Sequence, residues 1–185
     1  MNVLVLVGSP RSASLNARLA AAAANALPDG VHTASFDLNT LPLYDPDLDA
    51  LGNLGETVIA FRAAVSAADV LVVASPAYNG GMSAAIKNAI DIASRPRGAA
   101  PLLDKPVALL TAMAIPHTGV NVLEQLALVL RIAGARPVGA GVAASIVTDF
   151  TEAGVADPVR RQLDALISEL LAAAATGTED RASAA

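Results

Sequence analysis

Apolar residues along this chain fall into two kinds of run. Residues 2–8 (NVLVLVG), 31–36, 69–75 (DVLVVAS), 106–112 (PVALLTA) and 137–142 are short and rich in Val, Leu and Ala. The first is nearly continuous rather than alternating, and similar runs recur at the other positions. Such a strand has both faces covered, which is the situation in a parallel sheet. Between them, residues 14–27, 56–68, 81–93 and 120–133 carry apolar positions at helical spacing. A last helix over 157–173 aligns Val159, Leu163, Leu166, Ile167, Leu170 and Leu171 on one face. Five β-α units joined by right-handed crossovers make an open α/β sheet with helices on both faces.

No linker-like stretch or internal repeat interrupts this alternation, and roughly 100 to 200 residues make one domain, so residues 1–175 read as a single domain. Residues 176–185 have no apolar side chain larger than Ala and are expected to form a disordered tail. Hydrophobic residues are 54% of the chain but aromatics only 3%, so the core is built from Ala, Val, Leu and Ile. That suits helices on buried strands better than an aromatic-rich sandwich.

Charge and cysteine content narrow the function. Twelve Lys and Arg against seventeen Asp and Glu give 12 − 17 = −5, and the basic residues are scattered singly. Nucleic acid and anionic membrane are therefore poor partners. The absence of Cys excludes disulfides, thiol catalysis, iron–sulfur clusters and thiolate zinc, leaving His32 and His117 as the only imidazoles. No uncharged stretch makes a continuous apolar span, and the N-terminus lacks a basic leader, so a soluble, cytoplasmic protein is expected.

In an open α/β sheet, ligands collect beyond the carboxyl ends of the strands. After the first strand comes Gly8-Ser9-Pro10-Arg11-Ser12-Ala13-Ser14-Leu15-Asn16, which is neither a GxGxxG nor a GxxxxGK[ST] loop. It places hydroxyls and a guanidinium where a helix begins, which is what a phosphate needs. The bland alternative is a serine N-cap beside a solvated Arg, but a cap accounts for one serine, not three. After the third strand comes Ser75-Pro76-Ala77-Tyr78-Asn79-Gly80-Gly81, whose glycines allow backbone to approach a flat ligand. The alternative there is a tight turn with a half-buried Tyr.

The motifs GSPRSASLN at 8–16, LPLYDPDLD at 41–49 and SPAYNGG…KNAIDIASRP at 75–96 resemble the NAD(P)H-dependent FMN reductase family, a flavodoxin-like group that includes quinone, azo-dye and chromate reductases. The resemblance spans about residues 2–142. It implies a doubly wound, five-stranded parallel sheet of order 2-1-3-4-5 and a homodimer or homotetramer. It also implies that Ser9, Arg11, Ser14 and Asn16 hold the FMN phosphate, with Leu15 beside them. Pro76, Ala77, Tyr78, Asn79 and Gly80 would line the ring, and Thr111 and Gly119 would bound it from the fourth strand. The implied activity passes electrons from NADPH or NADH through bound FMN to a small acceptor such as a quinone, a free flavin or an azo or nitro compound.

The chain departs from that family at Ala77, where the family has Glu, and in the loop expected over residues 112–118, where the family is glycine-rich and only Gly119 survives. A second reading therefore stands beside the first: a flavin-binding or partner-binding accessory protein without reductase turnover. His117 falls in this third loop, as either a proton donor near the flavin or a surface residue. Helix 81–93 carries few charges, Lys87 and Asp91 among Ile86, Ile90 and Ile92, which suggests surplus apolar surface for self-association. Asp45, Asp47, Asp49 and Glu56 match the spacing of a calcium loop, but Ala50 stands where Gly is required and Pro46 stiffens the segment. It reads as an acidic surface loop, and no metal site is expected.

Overall fold

The computed structural model of the protein describes residues 1–114 and 116–183. Strand β1 (Asn2–Val7) pairs in parallel with β2 (His32–Ser35) on one side and β3 (Val70–Ala74) on the other. β3 in turn pairs with β4 (Pro106–Met113). Every residue of β3 and β4 is buried, as near-continuous apolar runs require. β2 is different: His32, Thr33, Ala34 and Ser35 are all exposed, because this short polar strand has only one neighbour.

The order 2-1-3-4-5 is the expected one, but the fifth position is not one strand over 137–142. β5 (Arg136–Pro137) pairs with Pro106 and Val107, and β6 (Val142–Ser145) pairs with residues 110–113, both in parallel with β4. Gly139 and Gly141 between them have φ of 57° and 75°, values that no strand residue holds, so the chain leaves the ladder and returns.

Helices cover both faces. Helix α1 (Leu15–Asn25) and the last helix, α6 (Asp157–Ser183), pack on one side through Leu19, Ala20, Leu163 and Ile167. Helices α3 (Glu56–Ala67), α4 (Ala84–Ala93) and α5 (Pro116–Ile132) pack on the other through Phe61, Ile86 and Leu126. β4 serves both cores by alternation, with Val107 and Leu109 facing one and Ala108, Leu110 and Ala112 the other. A short helix, α2 (Pro46–Ala50), precedes α3. The helical backbone of α6 runs through residues 176–183, past the expected end of the domain.

One expectation about α4 fails here. Ile86, Ile90 and Ile92 are 1%, 5% and 0% exposed, so its apolar residues are consumed by its own core. Before α6, a small hairpin of β7 (Phe150–Thr151) and β8 (Gly154–Val155) folds over α1. Arg18 holds it there, donating to the carbonyls of Thr151 at 2.5 Å and Gly154 at 3.2 Å with its guanidinium 5.3 Å from the Phe150 ring centre.

Candidate functional site

The loop after β1 is drawn against its neighbours by backbone. Gly8 N–H donates to the Ala74 carbonyl at 2.8 Å, and a Cβ on Gly8 would lie 2.3 Å from Ser83 Oγ and 2.4 Å from Ile86 Cγ1. Only glycine lets this loop pass so close to the start of α4. Ser14 is the N-cap of α1, accepting from Ala17 N–H at 3.1 Å, which leaves its own hydroxyl proton free to donate. The amides of Leu15 and Asn16 open the helix and have no intrahelical partner. No acidic residue occupies the first turn. Arg11 and Ser12 are exposed and Ser9 is half-buried at the mouth of this turn.

Asn16 has a second job that its position in the motif did not reveal. Its side chain accepts from Ala112 N–H at 2.9 Å and donates to Ala112 C=O at 3.2 Å, both bonds buried. α1 is thereby pinned to the end of β4, and one N–H of the Asn16 amide remains for a ligand.

The loop after β3 is built around a tight turn. Tyr78 and Gly81 exchange both backbone hydrogen bonds at 3.0 Å, and Asn79 and Gly80 between them have φ of 52° and 78°. Two successive positive φ values define a type I′ turn, for which Asn-Gly is the preferred pair. Buried Ser75 closes the base, accepting from Ser83 N–H at 2.9 Å and donating to the Pro76 carbonyl at 3.1 Å. Ser83 then caps α4. α4 therefore begins at Ala84, not residue 81, because residues 81–83 are needed to complete the turn. Pro76 is buried, Ala77 packs half-buried on the core, and Tyr78 stands 48% exposed beside open space at Gly80.

The third segment corrects the sequence reading. β4 continues through Met113 and α5 starts at Pro116, so most of residues 112–118 belong to these two elements and not to a loop. Proline suits the first position of a helix, where its missing N–H costs nothing. Gly119 lies inside α5, buried, where a Cβ would meet Met113 Sδ at 2.1 Å; its role is to let α5 lie on Met113. Thr111 is fully buried with no partner for Oγ1 among the described residues. Neither residue is at the surface of the site. The side chain of His117 lies outside the described residues.

The acidic loop is structural. Asp45 caps α2, accepting from Asp47 N–H at 2.8 Å. Asp49 receives Arg62 through both guanidinium nitrogens at 2.9 and 2.8 Å and the Tyr44 hydroxyl at 3.0 Å. Hydrogen bonding from Arg62 holds the Asp49 carboxyl below its usual range despite the opposing effect of burial. Asn88, which sequence reasoning passed over, ties this loop to α4: it accepts from Tyr44 N–H and donates to the Pro42 carbonyl, each at 2.8 Å. Among the described residues, no cluster able to hold a metal is found.

A family model for NADPH-dependent FMN reductases matches residues 1–149. The chain belongs to that family. Among similar members are an NAD(P)H-dependent FMN reductase of Pseudomonas aeruginosa, 41% identical over 114 residues, and a 2-hydroxy-1,4-benzoquinone reductase of a Burkholderia species, 37% identical over 110 residues. These matches cover 62% and 60% of this chain and 60% and 59% of those proteins, so the chain spans about three fifths of the length of the curated relatives it matches. Among solved structures, the flavoenzyme NAD(P)H:(acceptor) oxidoreductase FerB of Paracoccus denitrificans superposes with a TM-score of 0.78 at 24% identity, covering 91% of this chain and 96% of that one. A flavodoxin, WrbA-like protein of Agrobacterium tumefaciens gives 0.63 at 22% identity, over 93% of this chain and 96% of that one. These likenesses show that this FMN reductase family member has the flavodoxin-like fold.

Proposed function

We propose that this chain binds FMN across the ends of β1, β3 and β4 and passes electrons from NADPH or NADH to a small acceptor such as a quinone, a free flavin or an azo or nitro compound. The observation that carries this is the contact between two loops of complementary chemistry. Gly8, at the end of β1, lets the hydroxyl-rich loop that leads into α1 pass against the capped start of α4, which follows the Asn79-Gly80 turn.

The residues present fit the group. Arg11, Ser9, the free hydroxyl proton of Ser14 and the unpartnered amides of Leu15 and Asn16 make an anion site at a helix N-terminus with no carboxylate in the first turn to oppose it. At the turn, Gly80 offers a backbone surface with nothing within 4 Å of where a Cβ would stand, and Tyr78 and Asn79 flank it. Pro76 and Ala77 supply an apolar edge. Bound FMN supplies hydride acceptance and donation.

The protein's own work is therefore placement. The Asn16 bonds to Ala112 fix the start of α1 on the end of β4, and the paired Tyr78 and Gly81 backbone bonds set the shape of the turn at Gly80. One open face beside Tyr78 must receive nicotinamide and acceptor in turn, which makes the kinetics ping-pong. The same reading takes the protein as a cytoplasmic homodimer or homotetramer. Exposed Leu43, Leu48, Leu51 and Ile59, not α4, offer the apolar surface for association.

The test is to denature purified protein, separate the released flavin, and follow flavin absorbance in the intact protein on anaerobic addition of NADPH. FMN as the main species, bleached by NADPH, is the expected result. FAD or no flavin overturns the cofactor assignment, and FMN that NADPH leaves oxidised makes the protein an accessory instead of a reductase.

A further inference from the structure

Past β6 the chain stays at the carboxyl ends of the strands. Ser145 stands opposite Met113 in the ladder, and Ile146 N–H donates to the Met113 carbonyl at 2.9 Å. Residues 145–149 then close on themselves. Asp149 N–H donates to the Ser145 carbonyl at 3.0 Å, and the Asp149 carboxylate accepts from Ser145 N–H and from the Thr148 hydroxyl, each at 2.8 Å. It is the one carboxylate of residues 145–151, and these bonds come from the turn's own donors.

The far end of the segment is fastened to α1. β8 packs on α1, and Phe150 and Val155 join the same apolar core as Leu15 and Leu19. Arg18 supplies the polar fastening, through its bonds to the carbonyls of Thr151 and Gly154 and its stack on Phe150. A closed ring of contacts results. It runs from Asn16 to Ala112, along β4 to Met113, across to Ile146, through the turn to Phe150 and Thr151, and back through Arg18 to the first turn of α1. Residues 146–150 therefore bridge the end of β4 and the helical turn that carries the unpartnered amides of Leu15 and Asn16.

This fastening is built to open. Arg18 is exposed, its two acceptors are neutral carbonyls, and among the described residues it forms no ion pair. Exposed contacts of this kind break and re-form readily, which suits a segment that must let a ligand in and out.

We infer that residues 145–155 form a strap beside the phosphate end of the flavin site, and that Arg18 is the positioning residue that latches it, so that opening of the strap sets the rate at which FMN leaves. This rests on the flavin reading above. Arg18 acts through the hairpin and does not touch the cofactor.

The test needs no turnover. Stopped-flow fluorescence of the full-length protein, stripped of flavin and mixed with FMN or with riboflavin, which lacks the phosphate, gives association and release rates. Arg18→Met keeps the apolar stem and removes the donors and the charge, whereas Phe150→Leu leaves Arg18 in place and removes the ring face. FMN release should quicken roughly threefold or more in each variant with association no slower, while riboflavin release changes little. In the double variant the two effects should fall short of multiplying, because both changes undo one latch. An effect confined to Arg18→Met would make Arg18 a charge acting on the phosphate from a distance and overturn the strap. FMN release unchanged in both variants, or equal changes for FMN and riboflavin, would overturn it too. If Arg18→Met does not fold, Phe150→Leu decides by the same comparison of the two flavins. Wild-type protein that binds neither flavin refutes the flavin reading and the strap together, whereas FMN binding with release rates that the variants leave unchanged refutes the strap alone.

Discussion

Gly8→Ala tests whether the two loops of the candidate site are held in register by one missing methyl group. The added carbon would stand 2.3 Å from Ser83 Oγ and 2.4 Å from Ile86 Cγ1, and both neighbours are nearly inaccessible, at 2% and 1% exposure. Neither can swing into solvent. Ser83 is the cap of α4, and Ile86 is locked in the core under β1 and β3. Overpacking a dense core costs about 1–3 kcal/mol, and a lost N-cap adds about 1 kcal/mol, for a total of about 2–4 kcal/mol. At about 2–4 °C per kcal/mol for a chain of this size, the midpoint of thermal unfolding should fall by roughly 4–16 °C. Urea titrations monitored by circular dichroism supply the free energy directly. The decisive measurement is the cycle with Ile86→Ala, which removes Cγ1 and opens space for the new methyl. In that background Gly8→Ala should cost at least about 1 kcal/mol less than alone. If Gly8→Ala is within 0.5 kcal/mol of wild type, or if the two changes simply add, the close approach does not set the geometry of the site.

Other consequences follow from named contacts. Arg11→Ala removes a charge-assisted phosphate contact worth about 1.5–3 kcal/mol, so FMN affinity measured by fluorescence titration should weaken roughly tenfold or more with the unfolding midpoint unchanged; equal affinity would make Arg11 a solvated side chain. Asn16→Ala strands the buried N–H and C=O of Ala112 at about 1–3 kcal/mol each, and should lower stability to urea even without flavin. An effect seen only with flavin bound would mean that the pin between α1 and β4 contributes nothing to the fold. Because Asp49 titrates below its ordinary value in the folded chain, its contribution is fully present above the unfolded value near 3.8 and is lost as pH falls from there through the folded value. Asp49→Asn should therefore be less stable than wild type at neutral pH, with the difference shrinking in acid; a gap that stays constant from pH 6 to pH 3 would contradict the Arg62 pairing.

The alternation of strands and helices was readable from the chain because periodicity is local. Runs such as 69–75 and 106–112 are apolar at nearly every position, and only strands covered on both faces need that, so a parallel sheet with layers on either side followed from them. The local shape of two loops followed as well, since Ser14 and Asn79-Gly80 act through their immediate neighbours, as a cap and as a turn. What the chain alone did not decide are contacts between residues far apart in sequence. Asn16 reads as one more polar residue of a loop, yet it bonds to Ala112, 96 positions away, because the crossovers carry α1 alongside β4. Asn88 became a clamp only when residues 42–44 folded across α4. The apolar residues of α4 looked surplus when counted against one sheet face; the tertiary structure supplies α3, α5 and the sheet together to cover them. Helical spacing was read only from residue 120, whereas α5 begins at Pro116, where Gly119 packs on Met113 at the end of β4. Local pattern determines which residues form an element and which face it buries, whereas crossovers and close packing decide which side chains from distant elements meet.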